Sequence, residues 1–436
     1  MFRNWMLAAC TMAVAHAGLA QNTKDLERRI QALETKIEAM QQATPSAELA
    51  EVRREIDVLS REIESLKGGQ LKQEVQLDPA SGQHGLGGAA SKVYRSEPGF
   101  AIGGYGDMLY QNYASRQVSS ADLLRGVLYA GYKFNPSVVF NSELEVEHGS
   151  TERGGAVSME FAYLDYLLRP QANVRAGVML VPVGLVNEEH EPTAYLGARR
   201  PAVEDRIIPT TWSEIGAGVF GDAGPVSYRA FLLTGLDSAG FTSHDAIHEG
   251  KQSGAQAKAG DLAVVLRADW HALEGTIFGG SVYRGNSGQD RGFAGRVALG
   301  EVHAESKFRG LSLRALAARG SIGDAGAINE ANGLAGAESI GKTFGGWYAE
   351  GGYDLASLIN RPGYSLTPYL RYERLDTQRS VPTGYERNRE NDGRILTFGA
   401  AFKPIPQTVI KTDWQKITNA AGNGVNQFNI ALGYIF

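Results

Sequence analysis

Only one cysteine occurs in the 436 residues, Cys10, and proline is scarce at 15. A single cysteine excludes a disulfide framework. Few prolines beside 54 glycines argue against a disordered chain, which is rich in both residues together. No apolar run approaches the roughly 20 residues of a spanning helix, so a bundle of membrane helices is excluded. An excess of positive charge is also missing. There are 43 Lys plus Arg against 48 Asp plus Glu, a net charge of −5, and nucleic acid is not an expected partner.

What is present falls into four stretches. Residues 1–20 carry one arginine, an apolar stretch and then small residues before Gln21. They read as a signal peptide cleaved after Ala20, which would also remove Cys10. In 22–67, Leu26, Ile30, Leu33, Ile37 and Met40, then Leu49, Val52, Ile56, Leu59, Ile63 and Leu66, recur at steps of three and four. This is the seam of an α-helical coiled coil, expected to promote self-association. Residues 68–98 are rich in Gly, Gln and Ser and read as a flexible linker. Residues 99–436 are strand-like throughout.

Sixteen strand-like segments follow one another from Gly99. Leu396, Phe398, Ala400 and Phe402 make one face against Thr397, Gly399, Ala401 and Lys403. Phe140, Leu144 and Val146 oppose Asn141, Glu143, Glu145 and Glu147. With one face in lipid, the charged residues must line a wet lumen. Short connectors such as "FRG" at Phe308 alternate with larger ones, the longest near 184–211, 237–259, 320–343 and 377–392. That is the layout of an up-and-down transmembrane barrel, with turns in the periplasm and loops outside. Sixteen strands leave an aqueous channel. The final "NQFNIALGYIF" alternates to Phe436 and is expected to pair with the first strand, closing the sheet.

The densest charge lies in the longest connector, "GLVNEEHEPTAYLGARRPAVEDRIIPTTW", with Arg199, Arg200 and Arg206 beside Glu188, Glu189, Glu191, Glu204 and Asp205. An exposed surface loop is one reading. A loop folded inward to narrow the pore is the other, because the connector follows the fifth strand. The pieces "GYGDMLYQNY", "EHEPTAY" and "RRPAVEDRIIPTTWSEIGAGVFG" resemble the phosphate-selective porin O and P family of bacterial outer-membrane channels. The resemblance implies trimers of sixteen-stranded barrels and arginines on an inward loop. It makes Arg199, Arg200 and Arg206, with Glu188, Glu189, Glu204 and Asp205, candidates for the constriction.

Alternation sends Arg125, Lys133, Arg175, Arg229, Arg267, Arg314, Arg371 and Lys411 to the lumen wall. It also sends Glu143, Glu145, Glu147, Asp269, Glu350, Asp354, Glu373 and Asp413 there. From 99 to 436 the count is 31 bases against 35 acids, a balance of −4, so net charge alone makes no anion funnel. The glycines of Gly216–Gly221 fit GxGxxG but precede a turn and another strand, where a dinucleotide site needs a helix. His244 and His248 fit a solvated loop better than a metal site.

The sequence therefore predicts an all-β transmembrane barrel of 16 antiparallel strands with an N-terminal α-helical coiled coil. Its expected role is an outer-membrane porin, not an enzyme, with no cofactor and no metal. Expected partners are outer-membrane lipid, its own copies in a homotrimer, and small anionic or neutral solutes such as phosphate. The expected location is the bacterial outer membrane, with the coiled coil in the periplasm. Alternatives are a structural tether through the coiled coil and, needing a catalytic cluster at one rim, a barrel enzyme.

Overall fold

In a computed structural model of the chain, the alternation over 99–436 becomes sixteen antiparallel strands. The structure describes residues 82–114, 118–152, 154–359 and 363–436. The expected signal peptide and coiled coil lie outside them. The first strands are β1 Gly99–Tyr113, β2 Ser120–Asn135, β3 Val138–Glu147, β4 Val157–Arg169, β5 Ala172–Leu180 and β6 Ser213–Ala223. Next come β7 Val226–Thr234, β8 Leu262–Leu273, β9 Thr276–Gly285, β10 Val297–Phe308 and β11 Leu311–Ile322. The rest are β12 Thr343–Tyr353, β13 Ser365–Ser380, β14 Asp392–Ile405, β15 Thr408–Asn419 and β16 Gln427–Ile435.

Every strand pairs with its sequence neighbours, and β16 pairs with β1, so the barrel is closed and has no free sheet edge. At the seam Tyr105 is opposite Ile435 and Gly106 opposite Tyr434. Phe436 donates its N–H to Gly104 O at 2.9 Å and accepts from Gly104 N–H at 3.0 Å.

The two faces separate as the alternation requires. On β14, Phe398 and Phe402 are exposed while Thr397 and Ala401 are buried; on β3, Leu144 is exposed while Glu143 and Glu145 are buried. Apolar residues thus coat the outside and charged ones fill the inside. At one end the connectors are tight. The β10–β11 hairpin turns on Arg309 and Gly310, both with positive φ (48° and 84°), the two-residue geometry that matches the twist of paired strands. At the other end lie the long connectors 181–212, 235–261, 323–342 and 381–391.

The expected linker 68–98 is corrected over its described part. From Gly82 the chain runs inside the barrel and forms a short helix, α1 (Lys92–Arg95). Leu86, Ala89, Ala90, Val93 and Tyr94 are buried there, in one cluster with the inward-facing Val127, Tyr129, Val139, Phe161 and Tyr163. Burying Leu86 and Val93 stabilises this docking by roughly 1.5–3 kcal/mol each. Polar contacts fix its position. Tyr94 donates to Asp165 at 2.7 Å, Asn141 donates to Ala90 O at 2.8 Å, and Lys133 donates to Tyr94 O and Ser96 O at 3.0 and 2.9 Å. Glycine- and serine-rich composition permits a linker, but a lumen wall with an apolar, aromatic strip gives this segment a surface to bury.

Candidate functional site: the inward loop and the lumen wall

The connector 181–212 folds into the lumen. Val181, Val183, Val186, Ile207, Ile208 and Trp212 are completely buried. Asn187 clamps its two ends by donating to Val181 O at 2.7 Å and Trp212 O at 2.9 Å while accepting from Trp212 N–H at 2.7 Å. Glu204, on the short helix α2 (Ala202–Arg206), accepts from the N–H groups of Leu185 and Val186 at 2.8 and 2.7 Å. It also receives the Tyr348 hydroxyl of β12 at 2.6 Å. The loop is therefore a self-clamped unit.

It meets the wall around most of the barrel. His190 Nε2 lies 3.0 Å from Glu143 of β3, Ala198 N–H donates to Asp413 of β15 at 2.8 Å, and Val203 N–H donates to Glu373 of β13 at 3.2 Å. Arg314 of β11 and Lys403 of β14 donate to Ala194 O and Thr193 O at 3.1 and 2.9 Å. Glu191 holds the N–H groups of Ala89 and Ala90, so the loop and the 82–98 segment are joined. Burial pushes the carboxyls of Glu188 and Glu204 up from their usual range, and that of Glu191 to about 7.

The candidate constriction residues separate into three groups. Arg199, Arg200 and Asp205 line a cavity of about 670 Å³ that opens toward the long-loop end, between the loop, β2–β5 and residues 248–255. Glu188 and Glu189 face the other side of the loop, in a cavity of about 390 Å³ toward the short-turn end. Glu204 and Arg206 line neither. Glu204 is the clip described above, and Arg206 pairs with Asp245 of connector 235–261 at 3.2 Å. The cavities on the two sides of the loop share no lining residue.

All eight lumen bases point inward, and most are engaged. Arg125 meets Asp107 at 3.2 Å, Arg175 meets Asp165 at 2.8 Å, and Arg371 meets Glu373 and Glu350 at 2.9 and 3.2 Å. Arg229 bridges Glu188 and Asp269 at 3.1 and 3.0 Å, Arg267 meets Asp269 at 2.8 Å, and Arg314 pairs with Glu305. Lys133 is taken by the two carbonyls of the docked segment, and Lys411 lies over the Tyr195 ring at 3.6 Å. The balance of charge in the sequence is thus a set of internal pairs, and the wall is no open ladder of cations. Of the acids assigned to the lumen, Asp354 sits instead in the β12–β13 turn, accepting from Ala356 and Leu366 N–H.

Sequence reasoning missed Lys251 and took His248 for part of a solvated loop; both belong to connector 235–261 and close one side of the outer cavity. Burial lowers the Lys251 ammonium; it donates to Thr211 O at 3.0 Å. The 82–98 segment was also missed, although the inward aromatic strip that receives it is legible in the alternation of β2 and β4. Among the described residues no His, Cys, Asp or Glu cluster could hold a metal.

An uncharacterized protein of Aquifex aeolicus (strain VF5) is 35% identical over 358 residues, 79% of this chain and 82% of that protein. The two belong to one family. No family model matches the chain, so the likeness to the phosphate-selective porins rests on the quoted motifs. Among solved structures, the outer membrane channel DcaP of Acinetobacter baumannii is similar with a TM-score of 0.51 at 11% identity, covering 77% of this chain and 97% of that one. OmpTdeltaL8, a loop L8 deletion mutant of the Vibrio cholerae outer membrane protein OmpT, has a TM-score of 0.50 at 9% identity, covering 77% and 99%. These likenesses are of fold, and the fold is porin-type.

Proposed function

We propose that the protein is an outer-membrane porin through which small hydrophilic solutes diffuse, with loop 181–212 as its constriction. One observation carries this reading: a closed barrel with an apolar exterior holds a charged lumen, with separate cavities above and below a loop that crosses it. A closed barrel is one of the two ways a chain can satisfy its backbone in lipid, and a charged interior there is favourable only if water reaches it. The short turns face the periplasm and the long connectors the exterior, which puts the 82–98 segment at the periplasmic side. A preference for anions such as phosphate would come from Arg199 and Arg200, since the wall bases are paired; guanidinium groups suit oxyanions through bidentate hydrogen bonds. The barrels would associate as a homotrimer, helped by the coiled coil of 22–67.

Liposome swelling tests the porin reading. Reconstituted protein should admit small sugars and amino acids and exclude larger oligosaccharides. Vesicles that swell no faster than protein-free controls would contradict it.

A further inference from the structure

The outer cavity carries charges of both signs, several of which make no ion pair among the described residues. On the loop side, Arg200 donates through Nη1 to Thr211 Oγ1 at 3.1 Å, while its Nε and Nη2 have no partner. Its neighbour Arg199 is exposed to the cavity and makes no ion pair among the described residues. On the opposite wall, Glu147 of β3 and Glu160 of β4 also make no ion pair among the described residues; Glu160 accepts from Ser158 at 3.2 Å. Glu145 lies beside them, 3.8 Å from Arg125. Arg125 lines the cavity too but is already engaged by Asp107, at 3.2 Å, and by Glu145.

Elsewhere in the lumen, bases and acids within reach have paired, as Arg371 has with Glu373 and Glu350. In the outer cavity, of about 670 Å³, Arg199, Glu147 and Glu160 stay without an ion pair among the described residues. A solute with one net charge gains from one side and is repelled by the other. A solute with a charge at each end gains from both, and its carboxylate can take the guanidinium of Arg199, which is exposed to the cavity. The size suits a small molecule.

We propose that this cavity binds small dipolar solutes carrying one ammonium and one carboxylate, of the size of a free amino acid. Arg199 and Arg200 would take the carboxylate, and Glu147 and Glu160 the ammonium. The proposal rests on the channel reading above and names the solute class for it.

Three solutes of matched size test it: β-alanine, propionate and propylammonium, added on the long-loop side while ion current is recorded across a planar bilayer. β-Alanine should halve the current at a concentration at least about tenfold below that of either singly charged solute, as two charge-assisted contacts against one imply. Arg199→Ala with Arg200→Ala should move the preference toward propylammonium, and Glu147→Gln with Glu160→Gln toward propionate. Equal block by all three, or a β-alanine preference kept by both variants, would overturn the proposal. Calorimetric titration of the same solutes into the detergent-solubilised full chain reads binding without conduction. Preferential β-alanine binding in a protein that passes no current would leave the site standing and remove the channel reading. No such preference would remove the site whatever the current.

Discussion

Glu191 accepts a hydrogen bond from the N–H of Ala89 at 3.0 Å across 102 residues of chain, and so ties the inward loop to the segment docked beneath it. The same Oε1 takes the N–H of Ala90 at 3.1 Å. The Glu191 carboxylate is buried there.

That burial has a pH signature. Burial lifts this carboxyl from 4.5 to about 7 even though the Ala89 and Ala90 N–H bonds oppose the rise, so the packed state takes up a proton. Docking is therefore tightest below about pH 4.5 and loses stability as pH rises toward 7. Current noise from segment movement should increase over that window. Glu191→Gln keeps an acceptor but cannot titrate, so its noise should be independent of pH. Noise that falls with rising pH in the unaltered protein would mean that another group controls the segment.

Glu204 carries the fold of the loop. Glu204→Ala leaves the Leu185 and Val186 N–H groups and the Tyr348 hydroxyl without their acceptor, at a cost of roughly 1–3 kcal/mol per buried group left unpaired. The loop should loosen, giving larger and more variable single-channel conductance. Tyr348→Phe removes one of the three bonds and should have a clearly smaller effect; equal effects would place the clip in the hydroxyl alone.

At the closing seam the Tyr434 ring lies over Gly106. A Cβ at Gly106 would come within 2.5 Å of the Tyr434 ring, whereas one at Gly126, its partner across β1 and β2, meets nothing within 4 Å. Gly106→Val should slow conversion to the heat-resistant folded band on gels, and Gly126→Val should not. Matching delays would show that β propensity, and not the seam, decides.

The strands were legible because period-two alternation is imposed by lipid on one face and water on the other. The pairing of lumen charges was not legible, because it depends on register: Glu350 and Arg371 are 21 residues apart in sequence and opposite each other across β12 and β13. The loop's place could be read from its position after the fifth strand, and Arg199 and Arg200 do reach a cavity. Charge density could not separate them from Glu204 and Arg206, whose partners Tyr348 and Asp245 lie on remote elements. The docked segment was hidden by a composition that suits a linker equally well.

A reversal potential in a salt gradient tests most directly whether loop 181–212 sets what passes. In the outer cavity Arg125, Arg199, Arg200 and Lys251 stand against Glu145, Glu147, Glu160 and Asp205, so the unaltered channel should be weakly selective. Fixed charges in a narrow passage with low-dielectric walls act more strongly than screened surface charges. Arg199→Ala with Arg200→Ala leaves the carboxylates in excess there and should shift the potential toward cation preference, while Arg206→Ala, which removes a base already paired with Asp245, should shift it less. An unchanged reversal potential in the double variant would contradict a constriction formed by this loop.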